Sequence, residues 1–466
     1  GASFKIKYST DLISDADLGL FKKDKNDISI YYALAYLNSN ITAYVNDMFN
    51  PTVNITVGDI SKLPFIHPPK EIEQMVFLVA QECIEIKRNV GSFHIIEINF
   101  IKTPITSFLD STLKNRLLLH LNFENSVLTQ VLLNEAVINE LIFEVYELSD
   151  EDRLQVENKM GKPVGSLPVV AVARDEYLLS ADIENDSVKK FINELAVTTF
   201  VDDKVREIKE SFDTLYQSNN DLEEFCIRHQ VNPINIWYWF KESKVLPQAR
   251  AAEIALEFIA DSIRTILAED DDGIIPLVGQ LGEEKLLDRL EKHCIDTGFS
   301  TAQFMQLDGL LGRPLNDYLE NNFFNDLSNH LNLFMYLPKT PFIWHLSSGQ
   351  YKGLEVYISI YKWSRDNLFR LKTLYISKRI ENLEFRQIQL KDSDSAQAQD
   401  EKEKIRMQLL EIAGFAKKID ELIAEGYDPK LDDGVGKNIA PLQKKGLLKC
   451  DVLNAKQLDK YLKADW

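Results

Sequence analysis

The sequence is poor in the residues that most often announce chemistry. Its four cysteines, Cys83, Cys226, Cys294 and Cys450, stand far apart, and no Cys-x-x-Cys pair occurs. That spacing argues against a zinc site and a disulfide framework and fits a reducing cytoplasm. No apolar run approaches the ~18 residues of a membrane-crossing helix, so no membrane association is expected. No signal-peptide pattern is present. Gly-x-Ser-x-Gly, the phosphate-cradling Gly-x-x-x-x-Gly-Lys loop and His-Glu-x-x-His are all missing. The familiar signatures of serine hydrolases, nucleotide triphosphatases and zinc peptidases are therefore excluded. The seven histidines are scattered, and no metal-ligand set is expected from their spacing.

Positive charge is the other scarcity. The formal net charge is −19 over 466 residues. Residues 1–66 carry six Lys and seven Asp, and residues 366–466 carry 19 basic and 18 acidic residues. The remainder, 67–365, holds 28 basic and 47 acidic residues, a net charge of −19. Such a body repels a phosphate backbone, so any nucleic-acid contact is expected at the near-neutral ends or from a basic part missing from this sequence. With 45% apolar and 27% charged residues, the composition is that of an ordinary soluble globular protein. The length suits two to four domains. The chain opens on Gly-Ala-Ser rather than Met, and a fragment of a longer protein is expected from that.

In chain order, residues 4–8 alternate as a strand, and Lys22, Lys23 and Lys25 fall in a polar loop. Residues 30–49 repeat apolar positions at helical spacing (Leu34, Leu37, Ile41, Tyr44, Val45, Met48) and stop at Asn50-Pro51. Residues 53–57 read as a short strand, with a turn at Gly58-Asp59. A helix is predicted over 71–90, ending at Gly91, and further helices over about 105–121 and 125–146. Ser149-Asp150-Glu151-Asp152 is a capping cluster for another helix. Residues 162–168 are a turn-rich loop. Residues 201–330 are again helical, with breaks at Asn232-Pro233 and Leu246-Pro247.

Residues 331–348, LNLFMYLPKTPFIWHLSS, are the most apolar, aromatic and rigid stretch. They gather Phe334, Tyr336, Phe342, Trp344 and His345 around Pro338 and Pro341, and are expected to be core or a buried interface. Residues 351–361 read as a strand with Leu354, Val356, Ile358 and Ile360 on one face. Phe369, Ile376, Leu383 and Leu390 then recur every seven residues. Ile405, Leu409, Ile412, Phe415, Ile419 and Leu422 alternate steps of four and three. An antiparallel helical hairpin across the polar residues 391–404 fits; so do two ordinary amphipathic helices. Residues 427–448 read as a loop folded by Asp428-Pro429 and Asp433-Gly434. The expected fold class is mainly α with a small α+β portion at the N-terminus, a multi-helix scaffold and a C-terminal helical hairpin.

Three features invite chemistry and have plainer readings. Asp270-Asp271-Asp272-Gly273 with Glu283 offers oxygen ligands, but the alternating pattern of a calcium loop is absent, and an acidic helix-to-loop junction accounts for it better. His345 beside Trp344 reads as a packed core histidine. Trp237-Tyr238-Trp239-Phe240 could stack on bases, yet in an acidic body it reads as core.

Several phrases carry a resemblance. ALAYLNSNITAYV followed by NPTVNITVGDISKLPF resembles the closing segment of a target recognition domain in type I specificity subunits and fused restriction–modification methylases. NPINIWYWFKESKVLP, DDDGIIPLVGQLGEEKLLDRL, LDGLLGRPLNDYLENNFF, NLFMYLPKTPFIWHLSSG and YDPKLDDGVGKNIAPLQKKGLL resemble the carboxy-terminal half of PglX-like adenine-specific DNA methyltransferases of BREX phage-defence systems. The resemblance implies a C-terminal fragment divided into the end of a target recognition domain (1–66), a helical spacer or scaffold domain (67–365), a helical hairpin (366–426) and a C-terminal loop or tail (427–466). It implies double-stranded DNA as partner, other BREX proteins as possible partners, and Lys22, Lys23, Lys25, Asn50, Asn54 and Lys62 as DNA-facing residues. A solvated loop is the alternative for the three lysines. S-adenosylmethionine would serve the complete protein, with no cofactor and no catalytic residue in this chain. The glycine-rich cofactor turn is missing. So is the Asn/Asp-Pro-Pro-aromatic loop, since His67-Pro68-Pro69-Lys70 lacks both flanking residues. The rival expectation is a non-catalytic protein–protein interaction module; an unrelated helical scaffold is a third.

Overall fold

The computed structural model of the chain describes residues 4–6, 20–21, 28–50, 56–215, 221–279, 282–332, 338–393 and 395–464. Helices dominate them, so the mainly α expectation holds, and three short strands form one antiparallel sheet. The chain divides into two compact units, Gly1–Ile101 with Leu117–Arg250, and Lys102–Arg116 with Ala251–Trp466.

The first unit is built on helix Leu113–Val145, whose residues from Leu117 onward belong to it. Two helices were expected here with a break after 121. The segment Asn122-Phe123-Glu124 holds neither Pro nor Gly, so nothing stops the helix and it runs through 33 residues. By length and composition it could cross a membrane, but 67% of its apolar window is buried within the protein, as in a core helix. Leu133, Val137, Ile142 and Phe143 share one core with Tyr32, Tyr36, Val76, Val79, Tyr177 and Trp237.

Helix Pro233–Ser243 buries Trp237, Trp239 and Phe240, so this aromatic run is core. Asn232 caps it: its Oδ1 accepts from Ile234 N at 2.9 Å, while its Nδ2 donates to Gly165 O and Leu167 O at 3.1 and 2.7 Å. The loop thus held presses against the long helix; a Cβ on Gly165 would sit 2.4 Å from Leu132 O.

The N-terminal expectations need correction. Residues 30–49 form two helices, Ile30–Leu37 and Asn40–Phe49. Ser39 starts the second by accepting from Thr42 N, and Asn38 turns aside to bond both Phe4 N and Phe4 O. No strand occurs among the described residues of 1–66. Residues 4–6 are irregular and Val57 opens the short helix Val57–Ile60. Thr56 and Asp59 form a reciprocal capping box there, which fixes helical rather than extended backbone. Residues 7–8 and 53–55 of the expected strands lie outside the described residues. Among the described residues the strands lie in the second unit.

That sheet has the order β1-β3-β2, with β1 at Ile274–Pro276, β2 at Ile343–Ser347 and β3 at Glu355–Ser359. Trp344 pairs with Ile358 and His345 with Tyr357. Every residue of β2 and β3 is buried, so both faces are covered and the one-sided pattern expected for 351–361 does not apply. Trp344 Nε1 donates to Pro341 O at 3.1 Å, and His345 is a core residue with its ring 4.6 Å from Tyr357. Phe334 and Tyr336 lie outside the described residues. Asp270 Oδ1 accepts from Asp272 N and Gly273 N, and Arg289 pairs with Asp270 at 2.6 Å, as an acidic junction requires.

The hairpin is present. Its first arm runs through Asn367–Arg370, the π-helical turn Leu371–Ile376 and Ser377–Gln389; its second is Ala396–Ala424. Lys372 pairs with Asp420 and Arg386 with Glu401, so the arms are antiparallel. Ile376, Leu383 and Leu390 are buried, but Phe369 is 52% exposed, and the seam begins one heptad later than expected. The tail is more ordered than a loop. It contains helices Gly434–Lys444 and Ala455–Leu462, and Leu447 and Lys449 extend the edge of β2 through Ser347 N to Leu447 O and Lys449 N to His345 O. The loop residues that remain are pinned by Asn438, whose Oδ1 accepts from Lys430 N at 3.0 Å.

Two carboxyls of helix Leu113–Val145 titrate in opposite directions. Burial would raise Glu124, but Arg250 and then His120, 3.6 and 3.3 Å away, outweigh it and hold the group at about 2. Burial pushes Glu135 up to about 7 against the opposing pull of Lys87. Glu124 therefore contributes stability that is present above the unfolded value near ~4.3 and lost as pH falls toward 2. Glu135 does the reverse, costing stability as pH rises from ~4.3 through 7. Thermal unfolding from pH 3 to 8 should show Glu135→Gln more stable than the parent at pH 8 and indistinguishable at pH 4. Glu124→Gln, which removes the carboxylate from beside buried Arg250 and His120, should lose roughly 1–3 kcal/mol at pH 7 and flatten the acid limb.

Candidate nucleic-acid interface

Of the six residues expected to face DNA, Lys22, Lys23, Lys25 and Asn54 lie outside the described residues. The structure brings the other two, Asn50 and Lys62, together around a residue that had not been singled out for a site, Asp59. Helix Asn40–Phe49 ends on Asn50, whose Nδ2 donates to Asp59 Oδ2 at 2.9 Å. Thr56 gives the same oxygen its backbone N–H at 2.9 Å and its hydroxyl at 2.7 Å. Lys62 Nζ stands 3.9 Å from Asp59 Oδ1, with 61% of its side chain exposed. The Thr56 hydroxyl, then the Thr56 N–H, then the Asn50 amide hold the Asp59 carboxyl below its ordinary range. A carboxylate accepting several hydrogen bonds favours its charged form.

This arrangement divides the roles of the two residues. The Asn50 amide, which could read a base edge with a paired donor and acceptor, spends a donor on Asp59 and ties one helix end to the next. Lys62 keeps an exposed ammonium beside a carboxylate, a weak long-range pair that a phosphate could replace. The sequence signal that would have found Asp59 is Thr-x-x-Asp, the spacing of a capping box.

The N-terminal residues are tied to the rest of the first unit by hydrogen bonds. Ser29 N donates to Glu73 Oε1 at 2.8 Å, Asn40 N donates to Asn139 Oδ1 at 2.8 Å, and the Tyr146 hydroxyl donates to Pro64 O. Elsewhere in the unit, an open groove of about 570 Å³ is lined by Asp202, Glu210 and Asp213 against Arg206 and Lys209, which does not favour phosphate.

No family model matches the chain. Two curated proteins do, and both are adenine-specific methyltransferases. One is adenine-specific methyltransferase PglX of Lacticaseibacillus casei, 22% identical over 472 aligned residues that cover 94% of this chain and 33% of the relative. The other is adenine-specific methyltransferase BrxX of Escherichia coli O9:H4, 21% identical over 383 residues, covering 78% of this chain and 28% of the relative. The chain is thus distantly similar to methyltransferases of this kind and spans about a third of their length.

The geometry around Asp59 sets a stability order. Thr56→Ala should cost about 1 kcal/mol, the usual price of a lost N-cap. Lys62→Ala should stay within ~0.5 kcal/mol of the parent. Chemical denaturation of both variants would check this, and equal losses would mean that the box does not fix the segment.

Proposed function

We propose that this chain is the carboxy-terminal, non-catalytic part of a BREX-type site-specific DNA adenine methyltransferase that acts in phage defence and marks host DNA. The observation that carries the reading is the alignment with PglX, which runs through 94% of the chain at 22% identity. The absence of a glycine-rich cofactor turn and of an Asn/Asp-Pro-Pro-aromatic loop supports placing S-adenosylmethionine and the flipped adenine in a module outside this sequence. Residues 1–66 would then close a target recognition domain, 67–365 serve as scaffold, and the hairpin and tail complete it. Double-stranded DNA is the partner. The cytoplasm is the proposed location, in keeping with four free cysteines.

A second reading has its own support. The strongly acidic 67–365 and the engagement of Asn50 by Asp59 favour a module that binds other proteins of the defence complex instead of DNA.

A duplex gel-shift series in rising salt separates the two. DNA recognition predicts binding that weakens steeply with salt, each neutralised phosphate adding ~0.9 to the slope, and a slope smaller by about one in Lys62→Ala. Absence of binding at low salt by the chain joined to its catalytic module would overturn the DNA reading. S-adenosylmethionine binding and methyl transfer by this chain alone would overturn the assignment of catalysis elsewhere.

A further inference from the structure

Helix Gln248–Glu269, in its part belonging to the second unit, sets Glu253 and Glu257 one turn apart on the same face. His330, the last residue of helix Phe323–His330, meets both. Its Nε2 lies 2.8 Å from Glu257 Oε1 and its Nδ1 3.7 Å from Glu253 Oε1. The Glu257 side chain is 1% exposed, that of His330 13% and that of Glu253 36%. One donor atom from each of the three residues falls within 4.8 Å of the others.

Two carboxylates a turn apart repel, and a carboxylate in the interior is costly, so a cation set between them is favourable. An imidazolium can supply that charge with one N–H toward each. A divalent ion supplies more of it and bonds all three groups. Tetrahedral bonds of ~2.0–2.2 Å put donors ~3.4 Å apart, and a side-chain rotation of Glu253, the most exposed of the three, closes the remaining gap. One imidazole nitrogen with two carboxylate oxygens is a donor set for zinc or manganese. Calcium prefers oxygen alone, and copper(I) prefers sulfur.

We propose that Glu253, Glu257 and His330 form a divalent transition-metal site that fastens helix Phe323–His330 to helix Gln248–Glu269. The metal occupies one imidazole nitrogen, any proton there passes to solvent, and water fills the remaining position. Neither part of this depends on DNA binding.

The test is a Zn²⁺ titration of the chelator-treated full chain against a chromogenic competitor, with Co²⁺ absorption as a second readout. The expected result is one zinc per chain, bound at least tenfold more weakly by Glu253→Gln and by His330→Ala. Circular dichroism would show both variants folded; Glu253→Gln changes the most exposed ligand and keeps the test valid if His330→Ala unfolds. The cobalt spectrum should show d–d bands without thiolate charge transfer. No zinc bound by the parent, unchanged affinity in Glu253→Gln, or a thiolate band that places the metal on cysteine would each overturn the site.

Discussion

A helix buried along most of its length gains by pairing the polar groups it carries, and these pairings shape the first unit. Helix Leu113–Val145 buries Gln130, Asn134 and Glu124 beside its apolar residues. Gln130 Nε2 donates to Asn134 Oδ1 at 2.8 Å, Asn134 Nδ2 donates to Glu82 Oε2 at 3.0 Å, and the Tyr177 hydroxyl lies 3.2 Å from Gln130 Oε1. Helices Lys70–Gly91 and Ala171–Ser180 are thereby held in one register against the long helix. Apolar contacts alone would tolerate a slide by one turn; a matched polar ladder does not, because each slipped group would be left unpaired at a cost of ~1–3 kcal/mol.

The same logic explains what the sequence could and could not tell. Helix Lys70–Gly91 has one apolar face and a Gly at its end, and both are visible in the letters. The hairpin seam was visible for the same reason. The long helix was not, since its polar interior residues break the apolar period and look like a gap between two helices. The sheet was hard to place because β1 is three residues long and β2 and β3 are buried on both faces, which erases alternation. At the N-terminus, β-branched residues around Thr56 suggested a strand, and a local capping box decided otherwise. Of the expected DNA-facing residues, Asn50 and Lys62 do lie together, but the residue that unites them is acidic and was passed over. His330 and Glu257 are 73 positions apart, beyond the reach of any spacing rule.

The phrases that carry the resemblance turn out to hold structure. In NPINIWYWF, Asn232 caps a helix and grips a loop, Asn235 Oδ1 accepts from Val170 N at 2.9 Å, and the aromatics are core. In the tail, Asn438 pins residue 430, and Gln443 Oε1 accepts from Val452 N and Leu453 N at 3.0 and 2.8 Å. In FIWHLSS, Trp344 and His345 fill the sheet. Each pairs a buried polar group with one particular partner, so substitution is expensive. Such residues hold the fold of this chain, and their burial gives them no direct part in meeting a ligand at the surface.

Charge limits where any duplex could approach the chain. The excess of 19 negative charges lies in residues 67–365, so a duplex approaching them meets repulsion. The near-neutral hairpin offers cations, but Lys372 and Arg386 lie on carboxylates of the opposite arm, and Lys445 sits between Glu421 and Glu425. Cations so paired contribute little net field. Lys62 differs, since its pair with Asp59 is long and its side chain mostly in solvent, and replacing that contact by a phosphate requires no buried group to be exposed. A chain of this composition can hold DNA only where such replaceable pairs gather.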